Sequence, residues 1–256
     1  NAEKFISYVH TTVKETIERF NLLSKKDKLL IAVSGGKDSQ ALAVILKKLG
    51  YNPHGLLVDE GIDNYRESTI EDMKNLCKKL DIPLKIVSYK DQVGYKLDKI
   101  IKKKQHNPCS ICGTFRRYYL NKYAQDYDVI ATGHNLDDEA QAILLNIISG
   151  QIQLLPRLGP SSGTQSHKGF TSRVKPLYFI KEKEIRLYTF LEKLKIAPDE
   201  CPHAPKSFRA ALRDWLNQYE YEHPGTKKNV VEWFLTNKQQ LQEGLHEDNP
   251  IETCQK

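Results

Sequence analysis

Residues 34–39 read Ser-Gly-Gly-Lys-Asp-Ser, a hexapeptide whose side chains suit the binding of a phosphate group. Its two glycines let the backbone bend so that successive N–H groups point into one concavity. Ser34 and Ser39 supply hydroxyl donors, and Lys37 supplies a positive charge. Asp38 would repel phosphate unless a cation lay between them, so we predict that Asp38 holds Mg²⁺. An ordinary glycine turn before a helix is the alternative explanation for two glycines alone.

Three of the five cysteines have a spacing that suits a metal centre. The odd number argues against a disulfide scaffold. Cys109 and Cys112 form a C-x-x-C motif, which fits zinc, a redox disulfide or an iron–sulfur cluster. Cys201 precedes Pro202, as in some iron–sulfur sites. Three thiolates leave a zinc site incomplete unless His203 completes it, whereas they suit a 4Fe–4S cluster with one iron open to an exogenous ligand.

The other two cysteines lack such a pattern. Cys77 lies in an amphipathic segment between Met73 and Leu80, which predicts a buried apolar position. Cys254 has no visible partner in the sequence and would be half of a zinc pair at most.

A pair of adjacent acids, Asp137 and Asp138, follows another predicted strand. Asn135 and Asp138 have the spacing of a capping box, which is the structural alternative. One helix start does not need two adjacent acids, so we predict a functional role for Asp138, and less so for Asp137. Arg116, one helical turn beyond Cys112, is a candidate to contact phosphate or Asp138, unless it lies on a solvated face.

These residues need a scaffold, and alternating apolar patterns predict one. Strands are predicted at 28–33, 55–59, 84–89, 128–132 and 173–179. Helices are predicted at 5–20, 38–49, 67–80, 137–148, 182–194, 206–220 and 227–242. This alternation indicates an α/β fold with a doubly wound parallel sheet. Ligands bind at the carboxyl ends of such strands, where the polar clusters 34–39, 59–60 and 133–139 fall.

The chain is predicted to have three parts: an N-terminal helix over 1–27, an α/β catalytic domain over 28–180, and a C-terminal helical extension over 181–256 that carries Cys201.

The composition of the chain indicates which classes of binding partner are favoured. The 256 residues include 39 Lys and Arg against 32 Asp and Glu, a formal net charge of +7. This favours a polyanionic partner, although basic enzymes without one are common. No apolar stretch reaches the roughly 18 residues that span a bilayer, and no signal-peptide pattern opens the sequence. We therefore expect a cytoplasmic protein with no membrane partner.

The motifs together resemble the TtcA/TtuA family of tRNA 2-thiolation enzymes, within the PP-loop ATP pyrophosphatase superfamily. The chain looks most like the archaeal and eukaryotic cytosolic branch that thiolates the wobble uridine. The resemblance spans roughly residues 29–213. The matching segments are the PP-loop Ser34–Ser39, Cys112-Gly-Thr-Phe-Arg-Arg117, Thr132-Gly-His-Asn-Leu-Asp-Asp-Glu-Ala140 and Cys201-Pro.

The resemblance implies a two-stage reaction on tRNA. ATP adenylates the uridine C2 oxygen, and sulfur bound to a 4Fe–4S cluster then displaces AMP. Cys109, Cys112 and Cys201 would ligate the cluster. The implied catalytic residues are these three cysteines with Asp38, Asp138 and Arg116. The implied ATP-binding residues are Ala32, Ser34, Gly35, Gly36, Lys37, Asp38, Ser39, Val58, Gly133 and Asp138.

The resemblance also implies partners. They are tRNA, sulfide or a sulfur-carrier protein as the donor, and a second copy of the chain in a homodimer. Some relatives carry Zn²⁺ in ribbons at both ends, but this sequence shows only the single Cys254 there.

Basic and aromatic residues flank the cysteines and are candidates to contact tRNA. The basic ones are Lys102–Lys104, Arg116, Arg117, Lys206, Arg209 and Arg213. Tyr118, Tyr119 and Phe208 are candidates to stack on an extruded base, with core packing as the alternative for at least one of them.

Three alternatives remain. Sulfur could travel as a persulfide on one of the cysteines, with no cluster. The chain could be a PP-loop enzyme that ligates an amine to tRNA, which would have no need for the three cysteines. It could also be a zinc-stabilised RNA-binding protein with a vestigial nucleotide site.

Overall fold

The computed structural model describes residues 1–63, 65–103, 107–162, 170–197, 201–203 and 208–244. Within these ranges, one sheet has the strand order β3-β2-β1-β4-β6-β5. Its strands are β1 Leu29–Val33, β2 His54–Asp59, β3 Leu84–Ser88, β4 Val129–Thr132, β5 Ser161–Ser162 and β6 Ser172–Val174. All neighbouring strands pair in parallel except β5 and β6, which pair antiparallel. The predicted α/β fold with a doubly wound, mostly parallel sheet is confirmed.

Helices cover both faces of this sheet. They are α1 Ala2–Arg19, α2 Lys37–Lys48, α3 Arg66–Lys79, α4 Tyr89–Val93, α5 Leu97–Lys103, α6 Pro108–Tyr123, α7 Leu136–Ile148, α8 Glu182–Leu191, α9 Phe208–Glu222 and α10 Thr226–Gly244. A short 3₁₀-helix, Ile152–Arg157, follows α7. None of the described helices is long and apolar enough to cross a membrane.

The apolar strand β1 forms because both of its faces are buried. Ile31 points into a core shared with α1, α2 and α3, where Val13, Leu42 and Met73 are fully buried. Leu30 points to the other face, into a core that includes Tyr119 of α6. The helix layers on the two faces therefore hold β1 rigidly, and with it the loop that follows it.

The strand order reverses beside β1, because β1 pairs with β2 on one side and with β4 on the other. The chain leaves neighbouring strands in diverging directions at such a point, and a crevice opens at their carboxyl ends. The loops after β1 and β4 line this crevice.

The last two described helices share a third core with α7. Leu216 of α9 and Phe234 of α10 are fully buried against Ile143 of α7. A buried ion pair between Lys227 and Asp137 adds a polar tie. This packing places α9 next to α7, whose first turn lies beside the crevice.

Two sequence predictions were wrong in detail. The strand predicted at 173–179 ends at Val174. Lys175 turns its ammonium group inward to Glu139, 2.7 Å away, and Pro176 has no N–H to donate to a strand neighbour. Turn-forming residues, Asn107, Pro108 and Gly113, flank the C-x-x-C motif and indicate a turn, but Cys109 and Cys112 lie in the first turns of α6, which begins with proline at its first position.

Candidate functional site

The phosphate loop, residues 34–39, lies between β1 and α2 and is closed by its own serines. The Ser34 amide N donates to Ser39 Oγ at 3.2 Å, and Ser39 Oγ donates to the Gly36 carbonyl oxygen at 2.9 Å. Gln40 Nε2 donates to the Gly35 carbonyl oxygen at 2.8 Å. These contacts fix the backbone before any ligand binds, so the loop is preorganised for an anion at the start of α2.

Two glycines are required by close backbone approaches. Gly35 has φ +84°, and a Cβ there would lie 2.3 Å from the Thr69 carbonyl oxygen. A Cβ on Gly133 would lie 3.0 Å from the backbone of Asp38. The loops after β1 and β4 therefore touch through backbone atoms, which accounts for glycine at both predicted positions.

Lys37 is held between two acids. Its ammonium group lies 3.1 Å from Asp38 and 3.0 Å from Glu182 at the start of α8. Burial alone would lower the pKa of Lys37, but the two carboxylates raise it. The charge is thus available to a phosphate, but a bound phosphate must compete with two carboxylates for it.

Asp38 and Asp138 form a pair of neighbouring carboxyl groups across the crevice. Asn135 Nδ2 donates to Asp38 at 3.1 Å, and Asn135 also forms the predicted capping box with Asp138. Burial raises the pKa of Asp38, Lys37 offsets part of the rise, and nearby Asp138 adds to it. Burial likewise raises the pKa of Asp138. A divalent cation would offset the negative charge of both carboxylates, so the pair fits Mg²⁺.

The cation beside Asp138 is Arg209, at 4.0 Å, on the first turn of α9. Sequence analysis had offered Arg116 for this contact, and the structure places Arg116 elsewhere. Asp137 has a structural role: its carboxylate accepts from the Glu182 amide at 2.7 Å and pairs with Lys227.

Ala32 and Val58, predicted to lie near adenine, are neighbours on the sheet. Ala32 is partly buried at the end of β1, and the Val58 side chain is buried in the core. The Val58 carbonyl oxygen already accepts a hydrogen bond from Arg66 Nη2 at 2.9 Å. Adenine contact at these positions remains a prediction.

The three predicted cysteines lie in one region, which we call the cysteine corner: Cys109, Cys112, Cys201, Glu60 and Arg116. The Asn107 side chain caps α6 by accepting from the Cys109 amide at 2.9 Å. Cys109 Sγ lies 3.9 Å from the carbonyl oxygen of His203, two residues after Cys201. Burial raises the pKa of Cys112, Arg116 offsets part of that rise, and the charge of Cys201 adds to it.

Arg116 connects Cys112 to Glu60. Its Nη2 lies 3.2 Å from Cys112 Sγ and 2.8 Å from Glu60 Oε1. Cys112 Sγ also lies 4.0 Å from Glu60 Oε1. A cation thus faces the sulfur and a buried carboxylate faces the cation.

The donor set of the corner fits an iron–sulfur cluster better than a single zinc ion. In the part of the chain that the structure describes, no three His, Cys, Asp or Glu side chains lie close enough to hold one ion, and Cys109, Cys112 and Cys201 form no disulfide there. His203 Nε2 lies 3.0 Å from Asp98 Oδ1, so this ring nitrogen already has a carboxylate partner. A cluster needs sulfurs spread more widely than one ion does, and Arg116 offsets its negative charge.

Outside the corner, Cys77 is 1% exposed in the core, as predicted, and burial raises its pKa to about 11. Cys254 and Lys206 lie outside the described residues.

Arg66 and Glu182 belong to the site although no sequence motif predicted them, and Glu60, which falls in the predicted polar cluster 59–60, had been given no role. Arg66 lies at the start of α3, and its Nη1 donates to the Ser34 carbonyl oxygen at 2.7 Å. Its Nε lies 2.9 Å from Glu60 Oε2. The polar pair 59–60 at the end of β2 was a usable signal for Glu60, whereas nothing in the sequence pointed to Glu182.

Comparisons with known proteins agree with this geometry. The profile of the PP-loop domain family matches residues 7–220. The tRNA-5-methyluridine(54) 2-sulfurtransferase of Pyrococcus horikoshii is 41% identical over 254 residues, covering 98% of this chain and 80% of that protein. The cytoplasmic tRNA 2-thiolation protein 1 of Danio rerio is 36% identical, over 86% of this chain and 66% of that protein.

A solved structure is also similar. The U34-tRNA thiolase NcsA from Methanococcus maripaludis with its [4Fe-4S] cluster superposes with a TM-score of 0.83 at 34% identity, covering 99% of this chain and 84% of that one.

Proposed function

The chain belongs to the TtcA/TtuA family of PP-loop tRNA 2-thiolation enzymes, and from that premise we propose how its residues divide the reaction. It is a tRNA sulfurtransferase. The phosphate loop binds ATP and directs it to the uridine C2 oxygen, and the cysteine corner presents sulfur to the activated carbon. One observation carries this division: both regions lie at the same sheet edge, joined through Arg66 and Glu60.

At the nucleotide end, the chain's own groups neutralise and orient phosphate. The amides at the start of α2 and the Ser34 and Ser39 hydroxyls face the bound triphosphate, and Lys37 leaves its carboxylate partners to pair with it. Asp38 and Asp138 are the residues that would hold Mg²⁺, which would supply positive charge beside the phosphates. Lys37 and the amides at the start of α2 stabilise charge that develops between the α- and β-phosphates when AMP is transferred.

At the sulfur end, Cys109, Cys112 and Cys201 are the residues that would hold the 4Fe–4S cluster. When bound, the cluster would supply a Lewis acid that keeps a sulfur atom deprotonated near the substrate. Arg116 balances negative charge beside Cys112. Expulsion of AMP from the adenylated uridine makes replacement of its C2 oxygen by sulfur favourable, since a carbonyl-type oxygen alone is a poor leaving group.

The tRNA backbone lies along the basic residues around the corner. Arg117 and Arg209 are exposed beside it. A neighbouring cavity of ≈ 380 Å³ is lined by four lysines, Lys90, Lys96, Lys99 and Lys102. Asp98 in its wall contacts His203, so the cavity adjoins the Cys201 turn. Phosphate contacts release counterions, so tRNA affinity should fall steeply with salt.

Two of the three aromatic candidates remain available for base stacking. Tyr118 is 57% exposed and Phe208 is 62% exposed, whereas Tyr119 is 2% exposed in the core. An extruded uridine therefore has one exposed ring on α6 and one on α9 to stack against.

We place the modified uridine at the wobble position, because the structure that superposes over 99% of this chain is a U34-tRNA thiolase. Position 54 is the second candidate, favoured by the 41% identical relative. An assay decides between the two positions. Anaerobically reconstituted protein is incubated with ATP, sulfide and tRNA, and the digested RNA is analysed by mass spectrometry. Sulfur at position 34 supports the assignment, and sulfur at position 54 overturns it. No ATP-dependent sulfur at either position contradicts the function itself.

The proposal also covers the sulfur donor, the assembly state and the cellular location. We assign sulfide or a sulfur-carrier protein as donor, a homodimer as the assembly, and the cytoplasm as the site of action, as the name of the Danio rerio relative suggests. The persulfide route remains open, and iron and sulfide quantification after anaerobic purification tests it. Colourless protein that thiolates tRNA at full rate would favour the persulfide.

A further inference from the structure

Glu60 is the residue of the cysteine corner that also contacts the phosphate-loop side, through Arg66, while its Oε1 lies 4.0 Å from Cys112 Sγ. It follows β2 directly, and its side chain is 4% exposed. A buried carboxylate is costly unless cations and hydrogen bonds compensate it. Glu60 has two such cations, Arg66 on one side at 2.9 Å and Arg116 on the other at 2.8 Å.

The two arginines have different surroundings. The Arg66 side chain is 5% exposed and is held by three further acceptors: the Ser34 carbonyl oxygen, the Val58 carbonyl oxygen and Thr69 Oγ1. Arg116 is 48% exposed, and its described partners are Glu60 and Cys112. Arg66 is therefore fixed by the fold, whereas the position of Arg116 depends on Glu60.

The contact between Arg116 and Glu60 defines a direction as well as a distance. Arg116 Nε donates to Glu60 Oε1 at 3.0 Å while Nη2 lies 2.8 Å from the same oxygen, so the guanidinium plane is set by the carboxylate. In that orientation, Nη2 also lies 3.2 Å from Cys112 Sγ. Because one carboxylate oxygen holds both Nε and Nη2, the plane of the guanidinium is fixed, and Nη2 stays directed at the Cys112 sulfur.

We propose that Glu60 is a positioning residue for sulfur transfer: it orients Arg116 onto Cys112 and, through Arg66, fixes that arrangement relative to the backbone of the phosphate loop. The inference rests on the proposed function, because it names how one residue of that site is placed. Ser34, Arg66, Glu60, Arg116 and Cys112 then form one continuous line of contacts from the nucleotide end to the sulfur end.

The test compares Glu60→Gln with Asp72→Asn. Asp72 is a matched control: it is also 4% exposed, lies on α3, and pairs at 2.9 Å with Lys195, which is not a residue of the cysteine corner. Both variants remove the charge from a buried, ion-paired carboxylate with little change in shape. Glu60→Gln should lower kcat for tRNA thiolation at least about tenfold and leave the affinity for ATP within about threefold. Asp72→Asn should leave kcat within about threefold of wild type.

Two further variants separate positioning from simple destabilisation. Glu60→Asp keeps the charge and should recover part of the lost kcat. The Arg116→Lys variant lacks the planar guanidinium fork. In that variant, adding Glu60→Gln should lower kcat by less than about threefold, because both changes remove the same contact. Equal losses in both backgrounds would overturn the proposal, since Glu60 would then act independently of Arg116.

A crystal structure of metal-free Glu60→Gln gives a readout that does not depend on activity. The proposal expects Arg116 to leave Cys112 while Arg66 stays on the Ser34 carbonyl oxygen. An Arg116 that remains on Cys112, or a kcat equal to that of wild type, would overturn it. A wild-type chain that transfers no sulfur to tRNA would instead contradict the proposed function, and the same assay reports that separately.

Discussion

The phosphate loop and the cysteine corner lie at the same sheet edge but are held together by different means. The contacts that close the loop join residues at most five positions apart, through backbone atoms, a serine hydroxyl and the Gln40 amide. Three contacts of the corner join residues 52, 56 and 94 positions apart, and each of them involves a side chain. The loop is therefore set by a short stretch of sequence, whereas the corner exists only when the whole fold brings its parts together.

This difference has a functional consequence. Changes in the loop should affect the ATP-dependent step and leave the cysteines able to hold their cluster. Changes in the corner should affect sulfur transfer and leave ATP binding intact. The residues that join the regions, Arg66 and Glu60, are the exception, and variants there report on coupling.

The largest effect is expected from Asp38→Asn. The change removes one of two carboxylates assigned to Mg²⁺ and frees Lys37 from one partner. Thiolation should fall at least about 100-fold, since charge developing on the transferred phosphate loses its cation. Iron content after anaerobic reconstitution should match wild type. Unchanged turnover with Mg²⁺ present would remove Asp38 from the site, and a matching loss of iron would erase the distinction between the regions.

Gly35→Ala should have a smaller effect of the same kind. The new Cβ would lie 2.3 Å from the Thr69 carbonyl oxygen at a backbone φ of +84°. We expect a loss of about 1–3 kcal/mol in the free energy of unfolding, measured by denaturant titration. ATP affinity, measured by calorimetry, should fall with it. Gly94→Ala, at φ +76° with nothing within 4 Å of its Cβ, is the control for backbone strain alone. Equal ATP affinity in the two variants would contradict the close-approach explanation.

The mildest effect is expected on the cysteine side. Tyr89→Phe removes a hydroxyl that donates to the Cys112 carbonyl oxygen at 2.9 Å, inside the core that supports α6. The free energy of unfolding should fall by about 1 kcal/mol. Thiolation should decrease modestly while ATP affinity stays the same. A decrease in ATP affinity with normal thiolation would reverse the assignment of this core to the sulfur end.

The sequence predicted the loop more completely than it predicted the corner, for the reason just given. Residues 34–39 carry their own turn, donors and charge, so a local pattern was enough. Cys201 was grouped with Cys109 and Cys112 because its Cys-Pro sequence is found in some iron–sulfur sites, and the family resemblance made the assignment specific. Glu60 and Arg66 escaped notice as a pair, since an acid after one strand and an arginine at a helix start are individually ordinary.

Charged pairs were the other source of error. Arg116 was predicted to contact phosphate or Asp138, with a solvated face as the alternative, but its acidic partner is the buried Glu60. Asp137 and Asp138 look alike in sequence, yet one pairs with Lys227 and caps α8 while the other faces Asp38. Which acid is used structurally depends on α8 and α10, and no pattern near residue 137 encodes their positions.

Cys201→Ser tests the central claim most directly, in an assay that follows ATP binding and sulfur incorporation into tRNA in the same anaerobic preparation. The account predicts that the variant incorporates no sulfur and binds ATP with the affinity of wild type, because Cys201 lies in the cysteine corner, packed in the same core as Cys112. Full incorporation of sulfur, or an equal loss of ATP affinity, would contradict the division of the reaction between the two regions.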